Sequence, residues 1–282
     1  MGIMHELSPH PVWVDTLHRF ARPYWDALLN GEFAESATAT RLTVDELRGW
    51  IVNMYPFIHT FPKFLAEALI KVEDDLSRSF LIDNIRVEKA HAEHWLWMAE
   101  GFGLPRKDLL ELASGDRPAL RDVQSLSDWL WYINTKGTLA EAVAATSYAI
   151  EGVTGDLTRK TLDGFIAYGK FPGVTMNLHT SRWMRSHARY DDEHPKIALE
   201  VVKRYATTER QQHRVMLAVK RSLQLLDLAM DTSFRAYSEA PAAGPKDGVE
   251  LRAVERRAMS QPIKFPERRF GERRGRPLRS VA

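Results

Sequence analysis

The chain has no cysteine in 282 residues. That excludes disulfides, a thiolate nucleophile, iron–sulfur clusters and cysteine-held zinc. Any metal here must be held by His, Asp and Glu. Charge of one sign is also missing: 39 Lys and Arg against 37 Asp and Glu leave +2, so the whole chain makes no case for binding nucleic acid. No apolar run is long enough to span a bilayer, and Met1–Trp13 has no basic segment followed by an apolar run. The expectation is a soluble, cytoplasmic protein with no membrane partner. No segment keeps a two-residue alternation, so no strand is expected, and no internal repeat is visible.

What is present is helical. Glycine and proline are sparse, and the stretches between them are long. Asp15 to Asn30 reads as a helix stopped at Gly31. Thr43-Val-Asp-Glu46 is a capping box that opens a second, with Leu47, Trp50, Ile51, Met54 and Tyr55 at helical spacing. Pro56 and Pro62 are expected to kink or break it before a further stretch, Phe64 to Val72. Leu81 to Phe102 is a strong helix ended by Gly103, and a short one ends near Gly115. Then come Val123–Trp131, the alanine-rich Leu139–Gly152, Leu157–Tyr168 after a break near Gly155, Met176–Ser186, and one long helix from Pro195 to Asp231. The composition changes after about Phe234. Residues 1–235 read as one helical domain, and 236–282 as a flexible tail with Glu-Arg-Arg at 255–257, 267–269 and 272–274. The tail is a solvated extension, or a contact for nucleic acid, an acidic partner or another subunit.

Three clusters carry chemistry. Glu88 and His91 lie three apart, on one face of their helix, at the spacing used by carboxylate-bridged di-metal helical proteins. Such a pair also occurs by chance on solvated helices. His94 follows on nearly the same face, as a ligand, a partner of a ligand or a core histidine. Glu151 ends the alanine-rich helix; it is either exposed there or, among small and apolar neighbours, a buried carboxylate in need of a partner. His187, Asp191 and His194 are offset by four and seven, which places them on one face if the helix continues. Pro195 complicates that, because the residue before proline avoids helical geometry; a local break with Pro195 in the next first turn would preserve the cluster. Carboxylates and imidazoles together suit iron, manganese or zinc.

With these residues in place the chain resembles the haem-oxygenase-like diiron oxidases and oxygenases of the TenA/PqqC-like superfamily. The resemblance rests on Glu88-x-x-His91-x-x-x-Trp95-x-Trp97-Met-Ala-Glu-Gly-Phe-Gly-Leu104, the later Glu151, and His187-x3-Asp191-x2-His194, and covers about residues 8–232. It implies an all-α bundle of about seven helices. It implies that Glu88, His91, Glu151, His187, Asp191 and His194 bind two irons, with dioxygen as co-substrate and a small amino-acid-like or fatty-acid-like molecule oxidised or cleaved. It implies a homodimer as a common assembly. Ligand type alone would equally accept manganese or an iron–manganese pair.

The departures are informative. TenA thiaminases use a cysteine nucleophile, and this chain has none. Haem oxygenases bind haem through a histidine of the N-terminal helix, for which His18 stands as candidate. Trp25 and Thr161 occupy the places where para-aminobenzoate-forming relatives have a tyrosine and a lysine. Trp95, Trp97, Tyr148 and Tyr55 either line a pocket or belong to the core. Two other readings stay open: a metal-free PqqC-like oxidase or binding protein, and a regulatory protein that works through its tail.

Overall fold

The structure, a computed structural model, describes residues 8–190 and 194–238. Among them there are ten helices and no strand. In order they are α1 (Val12–Asn30), α2 (Glu32–Thr38), α3 (Val44–Leu69), α4 (Asp75–Gly101), α5 (Arg106–Ser114) and α6 (Arg121–Lys136). Helix α7 changes winding along its length: α-helical over Leu139–Val143, π-helical over Ala144–Glu151 and α-helical again over Gly152–Ala167. A 3-10 turn, Tyr168–Lys170, follows, then α8 (Arg182–Tyr190), α9 (His194–Tyr205) and α10 (Glu209–Ser238). The count exceeds the expected seven because α2, α5 and α8 are short pieces between the long helices.

Helix starts follow side-chain chemistry. The capping box at Thr43 forms as its spacing implies: Glu46 N–H donates to Thr43 Oγ1 at 3.1 Å, and Thr43 N–H to Glu46 Oε2 at 2.7 Å. Two further boxes of the same pattern, Thr138-x-x-Glu141 and Thr208-x-x-Gln211, open α7 and α10. The second divides the helix expected over Pro195–Asp231 into α9 and α10. Asp74 caps α4 by accepting from Ser77 N–H, so α4 begins well before Leu81.

Other departures concern helix breakers. Pro56 and Pro62 sit inside an unbroken α3. Each removes one backbone hydrogen bond, yet Phe57, Phe61, Phe64 and Leu65 around them are all buried. Burying four large apolar side chains at about 1.5–3 kcal/mol each at least offsets two proline penalties of about 3 kcal/mol. Nor does Gly155 break α7; it is itself buried within the helix. Residues Asn177–Thr180, expected as helix, form a turn in which Asn177 Oδ1 accepts from the N–H groups of His179 and Thr180.

Helix α3 lies at the centre, packed on α4, α5, α6 and α10, while α10 also packs on α1 and the π-helical turn. Helix α9 packs on the same turn, and α8 on both α4 and α7. Those contacts bring α4, α7, α8 and the start of α9 to one interior place. No helix among the described residues is long and apolar enough to cross a membrane. Ala236, Tyr237 and Ser238, expected in the tail, instead continue α10; the rest of the expected tail, 239–282, lies outside the described residues.

Candidate metal centre

Helix α4 presents Asn84, Glu88 and His91 on its buried face, while Arg86, Lys89 and Ala90 are exposed. The offsets of four and three are those that stack side chains along one helix stripe. His91 Nδ1 lies 3.0 Å from Glu88 Oε1, the imidazole donating to the carboxylate. Across from them, α8 carries His187. Its ring centroid is 4.1 Å from that of His91, and its Nδ1–H donates to the Trp183 carbonyl at 2.9 Å. That bond leaves Nε2 as the nitrogen with a free lone pair. Glu88, His91 and His187 are all buried, and each offers a ligand atom within 4.8 Å of the others.

Glu151 closes the π-helical turn and is 3% exposed, so the reading as a solvated helix end is excluded. Asn84 Nδ2 donates to Glu151 Oε1 at 2.7 Å and to Ser147 Oγ at 3.2 Å. Glu151 Oε2 lies 3.4 Å from His194 Nδ1, close enough for charge to matter, but it has no hydrogen-bond partner. His194 and Pro195 open α9, with Pro195 in its first turn; the local break expected ahead of it falls at residues 191–193, outside the described residues.

Burial and neighbouring charges set the electrostatics. Burial acts against the charged form of Glu88, but the imidazoles of His91, His187 and His194 hold its carboxyl below the usual range. His187 is pushed down to about 3, chiefly by burial and then by His91, so its ring is neutral near pH 7. Among the described residues no Lys or Arg hydrogen-bonds or ion-pairs to Glu88 or Glu151.

The donor set fits a divalent cation. Buried carboxylates without a cationic side chain are costly, and a metal ion offsets that cost. Glu151 Oε2, which accepts no hydrogen bond, and the lone pair of His187 can both serve as ligand atoms. A cation between Glu88 and His91 would displace their shared proton.

Of the six ligand candidates, the fold brings Glu88, His91 and His187 into one group and Glu151 and His194 into contact beside it. Asp191 lies outside the described residues. His94 is not part of the group: its ring is 5.9 Å from His91, and its buried Nδ1 has no hydrogen-bond partner. Trp95 and Tyr55 are core, whereas Tyr148 lines a cavity of about 210 Å³ with His18, Arg22, Trp25 and Asp156. His18 therefore stands apart from the group. Sequence reasoning missed Asn84, although its place one turn before Glu88 was a usable signal. The π-helical winding left no such signal.

Residues 48–227, more than half of the chain, match the family described as iron-containing redox enzyme. Among solved structures, the chain is similar to a TenA homologue from Pseudomonas syringae pv. tomato, at 26% identity and TM-score 0.72, over 83% of this chain and 98% of that one. A domain of unknown function with a haem-oxygenase-like fold from Shewanella denitrificans is similar at 18% identity and TM-score 0.67, over 80% and 93%. A TenA homologue from Pyrococcus furiosus is similar at 15% identity and TM-score 0.65, over 79% and 100%. At those identities the last two establish the fold, which is haem-oxygenase-like. No curated protein matches the chain significantly in sequence.

Proposed function

The chain belongs to the iron-containing redox enzyme family, and on that premise we propose that it is a non-haem diiron oxidase or oxygenase. In this reading Glu88, His91, Glu151, His187, Asp191 and His194 hold two irons, and dioxygen is the co-substrate. The substrate is a small amino-acid-like or fatty-acid-like molecule. The observation that carries the reading is the buried Glu88–His91–His187 group, beside a buried Glu151 whose second oxygen has no hydrogen-bond partner. Manganese in place of one or both irons suits the same donors.

When bound, the irons supply the redox chemistry that side chains lack. The chain's part is positional and electrostatic. The Trp183 carbonyl fixes the tautomer of His187, and burial keeps that ring neutral, so Nε2 is ready to ligate without first losing a proton. Asn84 orients Glu151 from α4, leaving the other carboxyl oxygen free. The hydrogen bond from His91 favours the ionised form of Glu88 against its burial. The four buried side chains Glu88, His91, Glu151 and His187 exclude bulk water, which strengthens every charge interaction among them.

Anaerobic ferrous titration of the full chain, followed by rapid mixing with oxygen, tests the reading. Two irons per chain are expected, with a transient visible band that disappears in His187→Ala and Glu151→Ala. Iron uptake indifferent to both substitutions would sink it and favour a metal-free oxidase.

A further inference from the structure

Two rows of aromatic rings lead away from the metal-binding group. One runs from His187 to Trp183 at 4.2 Å between centroids, then to Trp95 at 4.6 Å and Trp50 at 4.7 Å. It ends against Phe33 and Phe165, inside the core. The other runs from His91 to His94 at 5.9 Å, to Trp97 at 4.9 Å, and to His179 at 4.1 Å, where the rings stack at 26°. This second row reaches water: Trp97 is half-buried and His179 is exposed.

Trp97 also differs from the three tryptophans of the first row in its hydrogen bond. Its indole N–H donates to Glu93 Oε1 at 3.1 Å, and Arg106 fastens that carboxylate through both oxygens, at 2.7 and 2.5 Å. Trp95 donates to a backbone carbonyl, that of Ile51, and the N–H groups of Trp50 and Trp183 have no acceptor. Indole is among the side chains that yield one electron most readily. A carboxylate at its N–H stabilises the positive charge left behind, because a charged acceptor makes the stronger hydrogen bond. At the outer end, Arg182 and His179 are exposed and lie near enough to His94 to act on it by charge. Their chemistry suits an anionic donor.

We propose that Trp97 is a one-electron relay between the buried metal-binding group and the surface, reduced at its outer end by a small anionic reductant of the ascorbate class that docks at His179 and Arg182. Trp97 gives one electron, through His94, to the oxidised metal centre and becomes an indole radical cation, with its N–H still bonded to Glu93. The reductant returns one electron to Trp97 and leaves as its own one-electron-oxidised form. No atom is transferred, and Trp97 ends unchanged. The relay rests on the diiron reading, since it needs a redox centre at His91 and His187.

The test uses the iron-loaded full chain and two readouts other than turnover. Electron paramagnetic resonance after freeze-quenched mixing with oxygen detects a tryptophan radical. Stopped-flow absorbance follows reduction of the ferric centre by ascorbate. The wild type is expected to give the radical, as is Trp50→Phe. Trp97→Phe is expected to lose it and to slow ferric reduction at least tenfold with iron stoichiometry unchanged. Glu93→Gln should lower the radical yield, and His179→Ala should slow reduction by ascorbate. Equal reduction rates in wild type and Trp97→Phe, or a radical that survives that substitution, overturn the relay while two bound irons and oxygen uptake leave the diiron reading standing. A chain that takes up no iron overturns both.

Discussion

Asn84 Nδ2 donates to Glu151 Oε1 at 2.7 Å and so ties α4 to the π-helical turn of α7 across 67 residues of sequence. Residues that orient a metal ligand typically contribute about 10–100-fold to affinity. Asn84→Ala is therefore expected to weaken ferrous binding at least tenfold while circular dichroism stays native. Anaerobic titration measures it; wild-type affinity in the variant would mean that Asn84 does not orient a ligand.

Glu151→Gln separates stability from metal uptake. The amide keeps the shape of the side chain and removes a buried carboxyl that lacks one hydrogen-bond partner. A gain of about 1 kcal/mol in the chelator-treated protein would raise Tm by about 2–4 °C. The same variant should lose the additional rise that ferrous iron gives the wild type. Differential scanning calorimetry with and without iron shows both effects, and a variant still stabilised by iron would remove Glu151 from the ligand set.

Acid should weaken the fold through Asp74. Partial burial acts to raise its pKa, but hydrogen bonds from Tyr205 and Ser77, with Arg204 alongside, hold the carboxyl at about 2. A folded-state value below the unfolded one gives stability that is present above about pH 4 and lost as pH falls toward about 2. Because the side chain is partly exposed, the contribution is about 1–2 kcal/mol rather than the full shift. Asp74→Asn should lose that amount at pH 7 and flatten the acid limb in urea titrations between pH 5 and 2. An unchanged limb would assign acid lability elsewhere.

Gly164 of α7 meets α2 with no room to spare. A Cβ there would stand 2.0 Å from the Ala37 carbonyl oxygen and 2.8 Å from that of Thr38. Both are backbone atoms, so no rotamer change relieves the clash. Gly164→Ala is expected to cost about 3 kcal/mol, at the upper end for overpacking, as chemical denaturation would read. A near-neutral result would show that α2 shifts freely.

The helices were legible wherever capping and periodicity agreed, as at Thr43 and Glu46. They were misread where one local rule was allowed to decide. Pro56 and Pro62 left a kink or a break open, and the burial of Phe57, Phe61 and Phe64 keeps the helix continuous. The box at Thr208 and Gln211 was present in the sequence, yet the apolar run through Val215 to Leu226 concealed it. At the candidate metal centre, residue type and offset marked Glu88, His91 and His187, because helical spacing is a local property. That Glu151 is buried, and that Asn84 reaches it, depends on how α4 and α7 pack, which no local pattern encodes.

The π-helical turn also makes α7 sensitive to length in a way that composition does not show. Its eight residues lie between the capped start at Thr138 and the buried Glu151, and both ends are held by packing. Removing one residue between Ala144 and Ile150 would let the segment rewind as an ordinary α-helix, with each residue advancing it by about 1.5 Å. The direction in which Glu151 faces is thus stored as a residue count. Ala144, Ala145 and Ala149 are open to exchange among small side chains, whereas an insertion or deletion among them would turn the carboxyl away from Asn84 and His194.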